Sequence, residues 1–443
     1  MNIQLSDHFT FGRLLRFTLP SIAMMIFTSL YGVVDGIFVS NYAGKVPFAA
    51  VNLIMPYLMV FGTLGFMVGT GGTALISMTL GMGDKKRANS LFSMLTYVCI
   101  IGGVILTAVS LLLLRPAARS LGAEGEMLEN CVIYGSIVQL ALTAYILQYA
   151  FQSFCITAEK PNLSLGMMVT AGLCNIALDA LFVAVFHWGL IGAAVATALS
   201  QIIGAVVPLV YFSRPNSSLL RLGACKTDWK ALLRTAANGS SELMSNLSMS
   251  LVGMLYNLQL IAYAGEDGIA AYGVIMYVNF VFLAVFIGFV IGTAPIIGFN
   301  HGADNREELK GVVKKCLVIL GIFSVVMLLS AWGLSRPLSG IFVGYDPALL
   351  DMTIRGFRIY ALSFLLAGFN IFGSSLFTAL NNGLISALIS FIRTLVCQIA
   401  SVLILPIFMD LDGIWLSVVA AELAALALTG FFILKYRPRY HYL

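Results

Sequence analysis

Leu91–Leu114 reads LFSMLTYVCIIGGVILTAVSLLLL, 24 residues without one charged side chain. As a helix rising about 1.5 Å per residue, it outspans the roughly 30 Å of hydrocarbon in a bilayer. Lys85-Lys86-Arg87 precede it and Arg115 follows it, so charge stops the apolar run at both ends. The rest of the chain is built the same way. Of 443 residues, 60% are hydrophobic and only 10% charged, with a mean hydropathy of +0.95. Soluble domains carry roughly 25% charged residues, because a water-facing surface needs them. Lipid is therefore the solvent here. Barrel-type alternation of polar and apolar residues is absent, so the expected fold is all-α and membrane-integral. Twelve spans are read near 14–40, 48–80, 91–114, 130–157, 163–186, 190–212, 232–263, 269–299, 312–334, 352–379, 384–407 and 413–435.

The start, Met1 to Arg16, is polar and amphipathic and lacks a cleavable-signal pattern. Most of the 25 Lys and Arg fall in segments on the N-terminal side of the membrane, so both termini are expected in the cytoplasm. All four Trp sit at span ends, where amphipathic rings favour the interface. The net charge of +5 is thus a topology signal and implies no nucleic-acid partner. Seven scattered Cys, none in a CxxC, read as packing residues. No Walker A, Rossmann or HExxH pattern occurs, and the four His lie at ends or loops. Neither ATP hydrolysis nor another enzymatic activity is expected, nor an organic cofactor.

The chain also repeats itself. Tyr42-Ala43-Gly44 recurs as Tyr263-Ala264-Gly265, Ile54-Met55 as Ile275-Met276, Thr157-Ala158 as Thr378-Ala379, and Gly192 as Gly413, every pair 221 residues apart. Any one match is chance in so biased a sequence; a constant offset over 150 residues is not. Six spans per half keep both halves in one orientation, so the repeats are parallel. The expected organisation is an N-lobe at 1–212, a cytoplasmic linker at 213–231 and a C-lobe at 232–443. Transporters commonly place their substrate cavity between such repeats.

Carboxylates inside the spans are the expensive residues, each costing about 2.5–3.5 kcal/mol against lipid. Asp35 on span 1 and Asp179 on span 5 lie at matched depth with Asn175, one turn from Asp179, and with Thr197 on span 6. These oxygens suit Na⁺ or a shared proton. The plainer alternative has Asn175 and Thr197 bonding helix backbone while Asp179 faces a wet vestibule. Asp35 and Asp179 align with Tyr256 and Ala400 in the second half, so the scaffold's symmetry does not demand them. Span 7 carries Asn238, Glu242, Asn246 and Ser250 at helical spacing, a stripe for a cavity or a helix contact, with Met249 beside it. Arg393 and Glu422 lie at similar depth on spans 11 and 12, as an intramembrane ion pair would. Pro20 shares span 1 with Asp35, so a bend there would couple cation occupancy to helix shape, unless it is a static kink.

Thr18-Leu19-Pro20, Val34-Asp35-Gly36, Gly81-Met82-Gly83-Asp84, Ala158-Glu159-Lys160-Pro161 and Gly189-Leu190-Ile191-Gly192-Ala193-Ala194 together carry a likeness. In their order and spacing, over nearly the whole chain, the sequence resembles the multidrug and toxic compound extrusion (MATE) family, in its bacterial branch of drug exporters and DNA-damage-inducible relatives. The resemblance implies a V-shaped pair of six-helix lobes exchanging drugs, often organic cations, for Na⁺ or H⁺. It assigns the cation site to Asp35, Asn175, Asp179 and Thr197. It also implies a substrate cavity or second protonation site at Glu242, where relatives of one subgroup use a helix-7 Glu; Asn246, Met249 and Asn370 are grouped with it. Those relatives also use an acid on helix 10. Span 10 here has none after Asp351, and Asn370 is its main deep polar group, which favours coupling in the N-lobe. A monomer in the bacterial inner membrane is expected, with lipid and small molecules as partners. A lipid-linked saccharide flippase of the same superfamily is the alternative; a channel or receptor would need neither the paired acids nor the repeat.

Overall fold

The computed structural model describes residues 3–38, 42 and 45–442, and within these the side chains of all but residues 33, 35–37, 45 and 48. Helices are the only regular structure among the described residues. They are α1 (Phe11–Phe38), α2 (Lys45–Gly81), α3 (Lys85–Ser120), α4 (Gly125–Leu140), α5 (Leu142–Thr157), α6 (Pro161–Asp179), α7 (Gly189–Ser213), α8 (Trp229–Gly302), α9 (Arg306–Val343), α10 (Pro347–Tyr360), α11 (Phe364–Ala379), α12 (Gly383–Phe391) and α13 (Gln398–Tyr440). Two π-helical turns interrupt the pattern: Ala180–Val185 follows α6, and Ile392–Cys397 joins α12 to α13.

Nine of the described helical stretches are long and apolar enough to cross a membrane, or ten when α4 and α5, bent by 55°, form one crossing. Two of these are far too long for a single crossing. On a straight helix, residues sixteen apart lie roughly 24 Å from each other. Yet Tyr256 and Tyr272 stack with ring centroids 5.3 Å apart, and Ser417 Oγ donates to the carbonyl of Ser401 at 3.1 Å. The chain doubles back between them, at Gly265 (φ 64°, ψ −149°) in α8 and at Asp410 (φ 48°, ψ −133°) in α13. Each element thus supplies two segments, and ten become twelve. The two turns expected around 264–268 and 408–412 are single-residue reversals rather than loops. Lipid-facing surface is extensive: in the most apolar stretches of α3 and α9 only 22% of residues are buried inside the protein.

The repeat is visible in the backbone. Gly83 (φ 82°) and Asp304 (φ 50°) take left-handed conformations 221 residues apart. The next residue in each case caps a helix: Asp84 accepts the Arg87 N–H, and Asn305 accepts the Glu308 N–H. Gly189 (φ 53°) and Asp410 form another such pair.

Close glycine contacts join the halves at one end. A Cβ on Gly71 would lie 2.0 Å from the Thr235 carbonyl oxygen, and one on Gly292 2.9 Å from Thr18 Cγ2. These contacts exchange under the same 221-residue shift, α2 on the first limb of α8 and the second limb of α8 on α1. Gly81 against Phe299 and Gly302 against Met78 each leave 2.0 Å, so a side chain at either would part the helices. Across this closed end lies the N-terminal segment, with Leu5 and Phe9 fully buried. The Leu5 N–H donates to Glu159 Oε1 (2.6 Å), and the Phe9 N–H to Glu308 Oε1 (2.8 Å). One strap therefore clasps both halves. The stretch between halves is also less free than its composition suggests. The Arg221 and Gly223 N–H groups donate to Asn89 Oδ1 and Ser93 Oγ on α3, and α8 starts at Trp229, inside the expected linker.

Candidate functional site

Two polar sites emerge, one in each half. In the first, Pro161 at the start of α6 presets the helix, and α6 carries Asn175 and Asp179 inward, 2% and 0% exposed. The π-helical turn begins immediately after Asp179, and such turns concentrate at functional sites because they re-aim side chains. Asn175 and Thr197 line a small cleft of about 50 Å³ together with Tyr31, Tyr145, Gln148 and Gln201. Among the described residues, Asn175 Oδ1, Thr197 Oγ1 and Gln201 Oε1 are buried without a hydrogen-bond partner. Two amide oxygens and a hydroxyl buried beside one cleft leave room for a donor or a cation, since a buried polar atom left unmet costs about 1–3 kcal/mol. Thr197 Oγ1 thus does not bond helix backbone. The Asp35 side chain lies outside the described residues, although its backbone is in α1. Gln148 and Gln201 went unnoticed in the sequence; both are amides inside apolar runs, the same signal that marks Asn175.

The second site is a cavity of about 720 Å³. Most of its wall comes from α8, α11 and the α12–α13 junction, and Phe66, Thr70, Thr73, Ala74 and Ser153 close it from the first half. Glu242, Asn246 and Met249 all line it, whereas Asn238 of the same stripe makes a helix contact, donating from Nδ2 to Asn381 Oδ1 at 2.7 Å. Glu242 has no basic partner among the described residues, and Asn246 Nδ2 donates to its backbone carbonyl at 2.9 Å. Stacked Tyr256 and Tyr272, with Tyr360, supply aromatic wall.

Arg393 and Glu422 pair as expected, through Nε to both carboxylate oxygens (3.0 Å each) and Nη2 to Oε1 (2.8 Å). Both line the cavity, and Arg393 sits inside the second π-helical turn, on the element matching α6. Asn370 departs from expectation. It is fully buried behind the cavity wall, where its Nδ2 donates to Glu422 Oε2 (2.7 Å) and to the Glu422 carbonyl (2.9 Å). The cause is its face of α11: Ala367, Ile371 and Ser374 look into the cavity and Asn370 looks at α13. Pro20 produces no break, since α1 runs helical from Phe11 to Phe38. Gly288 packs against Ser21 and Ile22 just beyond it.

These features define a multi-pass helical membrane protein of two repeated lobes, with a large cavity walled mainly by the second. The MatE family model matches the chain twice, over residues 20–181 and 243–404, and the chain belongs to that family. Multidrug export protein MepA of Staphylococcus aureus (strain MRSA252) is 26% identical over 422 residues, covering 94% of this chain and 92% of that one. A crystal structure of a MATE protein in complex with MaL6 shares the fold with a TM-score of 0.90 at 23% identity, covering 95% of this chain and 94% of that one. An outward-facing multidrug resistance MATE transporter of the MOP superfamily gives 0.90 at 22% identity, with the same coverage.

Proposed function

We propose that this chain is a secondary active multidrug exporter that moves small, often cationic organic compounds outward against an inward Na⁺ or H⁺ gradient. One observation carries the reading: a roomy amphiphilic cavity in one half, and a separate cluster of orphaned buried oxygens in the other. Cavities of roughly 300–1,000 Å³ take drug-sized ligands. The carboxylate of Glu242 and the tyrosine faces attract cations, and flexible Met249 adapts to varied apolar bodies. The drug-export name of the staphylococcal relative supports the same assignment.

The donor set of the first site fits a hard monovalent cation. Asn175 Oδ1, Thr197 Oγ1 and Gln201 Oε1 are neutral oxygens awaiting a positive partner, and Asp179 lies one turn from Asn175. Na⁺ held by Asn175, Thr197, Asp179 and Asp35 would supply positive charge within the lobe, and a proton on the aspartates would do the same. In this reading the lobes rock about the glycine contacts between α1, α2 and α8, with both termini at the closed, cytoplasmic end in the bacterial inner membrane. The protein works as a monomer. The ion pair Arg393–Glu422 leaves the cavity without net positive charge, which counts against a pyrophosphate-carrying flippase.

The test is efflux of ethidium from proteoliposomes under an imposed Na⁺ or pH gradient. Export should follow one of the gradients, and Asp35→Asn should abolish it at equal protein level. Unchanged transport by Asp35→Asn would remove Asp35 from the mechanism, and gradient-independent movement would remove the antiport itself.

A further inference from the structure

The geometry of Arg393 goes beyond a structural ion pair. A guanidinium has five N–H donors in a planar fork. Here Glu422 takes Nε and Nη2, while Nη1 has no acceptor among the described residues. Glu422 is itself saturated, because Asn370 Nδ2 occupies Oε2 alongside the guanidinium. Its carboxylate is thereby committed to holding Arg393 in place. The arginine side chain keeps 15% of its surface open, against 6% for Glu422, and the cavity is what it opens on. A pair built only to fill the interior would gain nothing from this, since apolar residues of similar volume stabilise as well or better.

Three further facts point to a ligand. Arg393 belongs to the π-helical turn Ile392–Cys397, not to regular helix. One turn along, Gln398 has its Oε1 occupied by the Tyr256 hydroxyl at 3.0 Å, which leaves its amide NH₂ as a second donor lining the same cavity. Glu242, of opposite sign and without a basic partner among the described residues, lines that cavity from α8.

We infer that Arg393 is a specificity-determining residue that docks the carboxylate of zwitterionic substrates, aromatic amines bearing an acid, while their cationic end lies toward Glu242. The outer edge of a guanidinium matches a carboxylate in shape and charge. Glu422 and Asn370 are positioning residues that aim it. The inference rests on the drug-export reading and narrows its substrates.

Rhodamine B, a cation carrying a free carboxylate, and its ethyl ester, the same cation without one, separate the outcomes. Both are titrated by fluorescence polarisation into the purified full-length protein. Wild type should bind the acid at least as tightly as the ester. The double variant Arg393→Met/Glu422→Gln, which leaves no lone buried charge, should weaken acid binding by about tenfold or more, the worth of a charge-assisted hydrogen bond. Its ester binding should change less than about twofold, and that retained binding shows a folded cavity. Arg393→Lys, which keeps the charge but loses the fork, should also weaken the acid selectively. Equal losses for both dyes, or no loss, would overturn the assignment. So would a wild type that binds the ester and rejects the acid, a result needing no variant. A wild type that neither binds nor exports either dye would instead overturn the drug-export reading.

Discussion

Two residue-level features set the chemistry of the first half. Asn175 and Thr197 line a cleft just large enough for an ion or a water, and their oxygens have no partner among the described residues. Removing either oxygen should weaken cation response without touching the drug cavity. Asn175→Ala and Thr197→Val are each expected to raise the cation concentration for half-maximal export by about tenfold, the worth of one hydrogen bond to a charged group. Dye binding to the resting protein should stay unchanged, as equilibrium titration would record. At the closed end, burial holds the Glu159 carboxyl above its ordinary pKa, an effect partly offset by the Leu5 N–H. Its folded pKa being the higher one, the native state keeps a proton that the unfolded chain has lost. Stability therefore falls as pH rises from about 4, the ordinary Glu range, through the raised value. Glu159→Gln keeps an acceptor for Leu5 and removes the titration. Its melting temperature relative to wild type should rise with pH across that window, and a constant difference would contradict the account.

The elements carry strain at one reversal. Asp410 adopts φ 48° and ψ −133°, a region that suits glycine and costs other residues roughly 1–3 kcal/mol. The equivalent residue in the first half is Gly189, and the reversal in α8 uses Gly265. Asp410→Gly should therefore stabilise the protein, raising its melting temperature by a few degrees. A drop in stability would mean that the Asp410 side chain secures the turn by contacts that outweigh its backbone cost. The turn between α12 and α13 makes a related point. The 3.6-residue pattern of an apolar span gives no hint of where a π-helical turn will sit, because lipid-facing and buried positions are equally apolar. Ala180–Val185 and Ile392–Cys397 were invisible for this reason, although Asp179 and Arg393 marked their neighbourhoods.

At the scale of the whole molecule, the closed end is a seam of glycines, which the proposed rocking of the lobes would have to part to admit substrate from that side. Gly298 and Ser77 face each other across it: a Cβ built on Gly298 lies 3.3 Å from Ser77 Cβ, close to the separation a disulfide needs. Ser77→Cys/Gly298→Cys, in a background lacking the seven native Cys, should transport when reduced and stop when oxidised. Transport that survives complete oxidation, judged by loss of free thiol, would show that the seam need not open. The same seam runs along α1 beside Pro20. Thr18, Ser21 and Ile22 pack closely against Gly288 and Gly292.

The amino-acid sequence by itself determined the solvent, the helical class and the doubled architecture. Each follows from a sum over many residues, such as apolar content or a constant 221-residue offset, and sums survive local ambiguity. It also picked out Asn175, Thr197, Glu242 and Asn246 as residues with inward business, because polar groups inside apolar runs are costly enough to be conspicuous. Which of them share a site was decided only by the tertiary structure. Helix rotation is unreadable where lipid and core demand the same side chains, so Asn370 could not be told from a cavity residue. Nor could Arg393, half of an apparently inert ion pair, be seen to keep one edge of its guanidinium turned toward the cavity.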